Sequence, residues 1–234
     1  MAQVHPPSRE ARDSVVPASR PAVAASPVIV VGFVGGFVRH DDPVHDEVQM
    51  AERLRKAYPK GVNVLTFENS RGENAKKEIV SLLDSNHDGT LTPEEKKNAR
   101  IILYGHSWGA SEVVSVARDL EKNGIPVLLT IQVDSISRFF QNDSVIPANV
   151  AQAANFYQAD GFLHGQSDIR PANPARTKII GNFRFDYKTR PFTCYQYPWY
   201  DRIFVKFHTE IECDPRVWKQ VEALIRSALP PPTK

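Results

Sequence analysis

Ser107 is the residue whose neighbours best suit it to covalent chemistry. It centres Gly105-His106-Ser107-Trp108-Gly109, a G-x-S-x-G pattern that follows the apolar run Ile101 to Tyr104 and precedes a helical pattern. A strand, a tight turn and a helix in that order can hold a serine with its hydroxyl exposed. Glycines on both flanks keep Cβ atoms out of the turn, and the helix start beneath aims N–H groups at developing negative charge. A serine so placed needs a base to become a nucleophile. The chain offers seven histidines: His5, His40, His45, His87, His106, His164 and His208.

A second constellation runs from Asp84 to Glu95 (DSNHDGTLTPEE). Asp84, Asn86 and Asp88 stand at positions 1, 3 and 5 of a twelve-residue calcium loop, with Gly89 at the turn. Thr90 offers its carbonyl at position 7, Leu91 is the inward apolar residue, and Glu95 ends the loop as the bidentate ligand. Hard oxygen donors in this number suit Ca²⁺ better than a transition metal. The plain alternative is a capped turn, since Thr92 and Glu95 form a capping box around Pro93. It explains three residues and leaves Asp84, Asn86, Asp88 and Gly89 unexplained. His40-Asp41-Asp42-Pro43-Val44-His45-Asp46 also offers metal-donor types. It reads more simply as Asp42 capping a helix with Pro43 at its first position and both histidines in solvent.

The segment around Ser107 resembles the nucleophile elbow of α/β-hydrolases, the lipase and esterase superfamily. Its wording is close to the GHDWGA elbow of epoxide hydrolases and haloalkane dehalogenases, with Ser107 where those carry Asp. A serine there implies an acyl-enzyme, whereas the carboxylate of those relatives displaces at saturated carbon. The resemblance covers most of residues 28–229 in order of elements, and the elbow is its specific part.

It implies a nucleophile–acid–histidine order, which leaves His164 and His208 as the base. His208, after the last strand-like run and before the C-terminal helix, is preferred. Asp134 is expected to be the acid, because it directly follows a well-defined strand; Asp160, after the next strand, is the alternative. The oxyanion hole is expected from the N–H of Trp108 and from that of Phe33 or Val34 in the early Gly-rich loop. The expected activity is acyl-enzyme hydrolysis of a small carboxylic ester with an apolar acyl group. A thioesterase or amidase on the same residues is an alternative, as is a non-catalytic calcium-binding module. Calcium, if bound, would be structural, and catalysis needs no cofactor.

The elements that must carry these residues follow from periodicity. Val28 to Phe33, Val62 to Phe67, Ile101 to Tyr104 and Ile125 to Val133 are short apolar runs of buried strands. Helical patterns separate them, ending in one from Asp214-Pro215 through Ile225. Alternation of this kind gives an α/β fold, a mostly parallel sheet with helices on both faces. Asn149 to Ala154 reads as a short helix or turn, Asn155 to Tyr157 and Thr177 to Phe183 as strands, and Arg202 to Phe207 as a strand-like run. Between Phe183 and Phe207, 10 of 25 residues are aromatic, a mixture of core and a wall over the site. Residues 1–27, with five prolines, read as a disordered tail, 28–229 as one domain and 230–234 as a second tail.

Charge is nearly balanced, 29 basic against 27 acidic residues, and no basic cluster suggests nucleic acid. No apolar run is long enough for a transmembrane helix. The first residues lack the apolar stretch of a secretory signal, which favours a cytoplasmic protein. Cys194 and Cys213 accordingly read as two free thiols, with one disulfide as the alternative for an exported chain.

Overall fold

Alternation along each apolar run decides which side of the sheet a residue faces. In the computed structural model, which describes residues 27–138 and 141–231, Val28–Val34 forms β1. Its Val28 and Val30 join one core and its Ile29, Val31 and Phe33 the other. β3 (Arg100–His106) divides in the same way, Ile102 and Tyr104 against Ile101 and Leu103. Both strands are buried on two faces, which is why they read as continuous apolar runs.

With β2 (Val62–Glu68), β4 (Val127–Val133), β6 (Val150–Gln158) and β8 (Lys178–Phe185), these strands make one six-stranded sheet. Its order is β2-β1-β3-β4-β6-β8, and every pair is parallel. Helices α1 (Asp46–Ala57) and α7 (Pro215–Ala228) cover one face through Met50, Ala51, Leu54, Val217, Trp218, Val221 and Ile225. Helices α2 (Gly72–Leu83) and α4 (Trp108–Lys122) cover the other through Ala75, Ile79, Leu83, Val113, Ala117 and Leu120. The expected α/β architecture is therefore the observed one. A short helix α3 (Pro93–Lys97) leads into β3. Two-residue strands β5 (Val145–Ile146) and β7 (Arg170–Pro171) pair beside the main sheet. Helices α5 (Asp201–Phe204) and α6 (Lys206–Cys213) precede α7.

Strand order reverses between β1 and β3. The chain leaves β1 for β2 on one side, then returns to lay β3 on the other. The loops after β1 and β3 therefore diverge and open a crevice at the C-terminal ends of the strands, the place where parallel sheets bind ligands.

Three expectations need correction. Residues 150–154 belong to the nine-residue strand β6 and not to a helix or turn, held in place by pairing with β4 and β8 on either side. Arg202 to Phe207 is not a strand: its residues belong to α5 and the start of α6, with Val205 as the junction between them. The first long helix begins at Asp46, not at Pro43, with His45 as its N-cap. The expected tail lies outside the described residues except for its last position, Pro27, and so does the chain end beyond residue 231. Among the described residues no helix is long and apolar enough to cross a membrane.

Candidate active site

Ser107, between β3 and α4, has a backbone conformation that L-residues rarely adopt, with φ 56° and ψ −124°. Strain of this kind costs on the order of 1–3 kcal/mol and persists only where surrounding packing fixes it. Here the flanking glycines allow that packing. A Cβ on Gly105 would come within 2.6 Å of the Gly109 backbone, and one on Gly109 within 2.2 Å of the Phe33 carbonyl oxygen. The elbow is thus pressed directly onto β1. The Ser107 N–H donates to Val133 O at 2.9 Å, and Ser107 O accepts from Ala110 and Ser111 in the first turn of α4. The N–H groups of Trp108 and Gly109 precede the first intrahelical donor and stay free at the helix start.

Three of the residues expected to act together are in contact. The Ser107 hydroxyl lies 2.9 Å from His208 Nε2. On the far side of the ring His208 Nδ1 lies 2.6 Å from Asp134 Oδ2. Ser107 and His208 are each 7% exposed, and Asp134 is fully buried. Asp134 follows β4, at the same sheet end as the elbow. His208 comes from the first turns of α6, not from a strand end.

Asp134 is cradled by groups that the sequence did not single out. Its Oδ1 accepts from Gln158 N at 3.1 Å and Gly165 N at 2.8 Å, and its Oδ2 accepts from Gln158 Nε2 at 2.9 Å. Burial works against ionisation of this carboxyl. The hydrogen bond and charge of His208, together with the Gln158 donors, outweigh it and hold the pKa below the ordinary carboxylate value. Asp160 is differently engaged: its Oδ2 accepts from Tyr187 N at 2.7 Å, and Arg184 lies 3.5 Å from its Oδ1. It anchors the chain leaving β8. His164 meets only the neighbouring Gly165 carbonyl, at 3.2 Å.

The early loop is shifted from its expected position. Phe33 and Val34 are buried inside β1, and Phe33 pairs with both Phe67 and Gly105, so its N–H is committed to the ladder. The backbone that borders the crevice is the next stretch, Gly35 to Phe37. A cleft of about 820 Å³ opens there over Ser107 and His208. Phe37, Val38, Trp108, Ile136, Leu163, Tyr197 and Tyr200 give it mostly apolar walls, with the Phe37 and Trp108 rings edge to face at 5.6 Å. The aromatic segment is the mixture expected. Tyr187 and Tyr197 are buried, while Tyr195, Trp199, Tyr200 and Phe204 are at least half exposed.

Cys194 and Cys213 are bonded, their Cα atoms 5.9 Å apart, well inside the range a disulfide spans. The expectation of two free thiols is thereby overturned. The bridge ties the aromatic segment to the end of α6, across a sequence separation of 19. His45, expected in solvent, is also drawn inward. Its Nδ1 lies 2.5 Å from Glu212 Oε1, and its ring meets Tyr197 edge to face at 5.1 Å. His40 stays at the surface, 2.7 Å from Glu68.

The calcium-like loop is far from this crevice. It enters β3 through α3, at the strand end opposite Ser107. Asp84 accepts from Asp88 N and Gly89 N at 3.2 and 2.8 Å, and Asp88 accepts from Thr90 N at 2.8 Å. Glu95 folds back on the loop start, its Oε1 accepting from Ser85 N at 2.8 Å, while Oε2 completes the Thr92 capping box at 2.9 Å. Hydrogen bonds from Ser85 and Thr92 hold the Glu95 carboxyl down at about 2.

No family model and no curated protein matches the chain. Among solved structures, it is similar to a RedJ thioesterase from the prodiginine biosynthetic pathway in Streptomyces coelicolor. That likeness has a TM-score of 0.45 at 12% identity and covers 93% of this chain and 97% of that one. A cutinase-like protein from Cryptococcus sp. gives 0.41 at 12% identity over 89% and 98% of the two chains. An acetylxylan esterase gives 0.38 at 12% identity over 88% and 100%. Likenesses this distant do not assign the chemistry, which rests on the geometry of the crevice.

Proposed function

We propose that this chain is a serine hydrolase that cleaves carboxylic esters through an acyl-enzyme. The observation that carries the reading is the unbroken line from the Ser107 hydroxyl through His208 to buried Asp134, at 2.9 and 2.6 Å. Ser107 Oγ attacks the ester carbonyl carbon while its proton passes to His208 Nε2. Asp134 holds the proton on Nδ1, which fixes the tautomer that leaves Nε2 free to accept, and it stabilises the imidazolium that forms. The oxygen of the tetrahedral intermediate turns to the free N–H of Trp108 and to an N–H of the early loop, for which Gly36 and Phe37 replace Phe33 and Val34. His208 then gives its proton to the leaving alkoxide. Water repeats the sequence on the acyl-enzyme and releases the acid. The apolar walls of the cleft favour an apolar acyl group.

A fluorophosphonate probe tests this directly. It should label Ser107, and Ser107→Ala should lose both the label and p-nitrophenyl ester hydrolysis, a rate loss on the order of 10⁴ to 10⁶. A folded Ser107→Ala protein with near-parent activity would end the reading. Comparison of an oxygen ester with the matching thioester and amide then fixes the leaving group, since the same groups serve all three.

We also propose that Asp84, Asn86, Asp88, the Thr90 carbonyl and Glu95 bind Ca²⁺ in a structural role. What supports this is the all-oxygen donor set at calcium-loop spacing and the return of Glu95 to the loop start. To bind the ion, Glu95 exchanges its Ser85 and Thr92 partners for it.

A further inference from the structure

Behind the catalytic histidine lies a group of buried and half-buried titratable side chains that the hydrolase chemistry does not use. His45 caps α1, Glu47 stands in its first turn, His106 precedes the nucleophile, and Glu212 sits one turn after His208 on α6. Ligand atoms of His45, Glu47 and Glu212 all lie within 4.8 Å of one another, the only such trio of His, Cys, Asp or Glu among the described residues. His106 Nδ1 faces both carboxylates, at 3.7 Å from Glu47 and 3.6 Å from Glu212. Glu47 is fully buried and His106 is 2% exposed.

Burial on this scale needs compensation, and Glu212 has it in the His45 imidazole 2.5 Å away, whereas Glu47 and His106 do not. Neither oxygen of Glu47 and neither nitrogen of His106 has a hydrogen-bond partner. The N–H groups of Glu47 and Gly35 lie near the carboxylate but out of hydrogen-bond geometry. Among the described residues no Lys or Arg pairs with Glu47 or Glu212; their ion-pair partners are imidazoles alone. A second buried carboxylate, Glu47, with neither a donor nor a cation of its own costs several kcal/mol. It must hold a proton or something must bring positive charge.

We propose that His45, Glu47, His106 and Glu212 form a binding site for a divalent transition metal, Zn²⁺ being the best match. Two imidazoles and two carboxylates are a borderline donor set, unlike the all-oxygen loop at 84–95. A tetrahedral zinc site with bonds of about 2.1 Å has ligand atoms roughly 3.4 Å apart; His106 Nδ1 stands near that separation from both glutamates, while His45 Nδ1 and Glu212 Oε1, now 2.5 Å apart, must separate for both to bind the ion. An entry path exists, since His45, His106 and Glu212 line the active-site cleft.

The ion would act on position and not on the ester. His106 lies against His208 with ring centroids 4.6 Å apart, and Glu212 shares a helix with His208. One metal therefore fastens α1, the end of β3 and the helix that carries the base.

The test uses the full chain, stripped with EDTA and titrated with ZnCl₂ alone. Calorimetry should show close to one equivalent bound per chain. At about 100 times Kd, Zn²⁺ should raise Tm by about 5–10 °C. Glu47→Gln and Glu212→Gln should each weaken binding tenfold or more, while Glu95→Gln leaves it unchanged. Metal-free Glu47→Gln should melt at or above the parent temperature, because it removes an ionisable group from the interior, and so serves as the folded control. Absence of stoichiometric Zn²⁺ binding would overturn the proposal and leave Glu47 a protonated carboxyl. So would Zn²⁺ binding that persists in both glutamine variants. Neither outcome depends on whether the protein hydrolyses esters.

Discussion

At the scale of single residues, the two candidate acids separate by what they touch. Asp134 meets the histidine that meets Ser107, and its remaining lone pairs are filled by Gln158 and Gly165. Asp160 meets a backbone N–H and an arginine. Asp134→Asn keeps the shape but puts an N–H donor or a wrongly oriented carbonyl against His208 Nδ1, so the ring loses its preferred tautomer; kcat should fall by roughly 10⁴. Asp160→Asn should keep near-parent kcat and lose about 1 kcal/mol of stability through the weakened Tyr187 contact. Steady-state kinetics and melting curves on the two variants check both halves. Reversal of the kinetic pattern would assign the acid to Asp160. Ser107 was legible in the sequence because its turn demands glycine at fixed offsets. Gln158 and Gly165 were not, because an amide donor and a backbone N–H carry no pattern until the loop after β6 folds over Asp134.

At the scale of elements, the same contrast repeats. β1 to β4 were legible because each is a β-branched run bounded by turn residues. The first half of β6 was not, since Ala151-Gln152-Ala153-Ala154 has weak strand propensity and is a strand only through its neighbours. Ile203, Phe204, Val205 and Phe207 suggested a strand where α5 and α6 lie; α6 is held by its buried face, with Ile211 fully buried, while no residue of α5 is buried. This reassignment matters for His208. A histidine on a short helix depends on what fastens that helix, and the Cys194–Cys213 bridge fastens its end. Disulfides persist in oxidising compartments, which runs against the cytoplasmic expectation. Closing a loop of 19 residues' separation contributes about 3 kcal/mol in the chain-entropy picture. The Cys194→Ser/Cys213→Ser double variant should therefore melt about 5–10 °C below the parent. Reductant should lower the parent's Tm by a similar amount and leave the variant's unchanged. A parent whose melting ignores reductant would show that the bridge contributes nothing to the fold.

At the scale of the whole molecule, parallel strands give the sheet two unlike ends. Ser107, Asp134 and the early loop all leave strands at their C-terminal end, and His208 is delivered there by α6. The loop at 84–95 belongs to the opposite end, because α3 runs directly into the first residue of β3. A seven-residue strand spans about 20 Å, which sets the distance between the two sites. An ion at that distance acts through the stability of α2, α3 and the start of β3, not through the field at the ester. Calcium should thus raise Tm by mass action, and EDTA should lower it. Glu95→Gln should abolish the response while kcat at low temperature stays within about twofold of the parent, because surface changes remote from a site move the barrier by a few tenths of a kcal/mol. Zn²⁺ must be absent from these samples, since the cluster behind His208 would answer to the same chelator. A melting curve indifferent to calcium in zinc-free protein would reduce the loop to the capping box that Thr92 and Glu95 already form. A large calcium dependence of kcat at constant Tm would contradict the layout of the sheet itself.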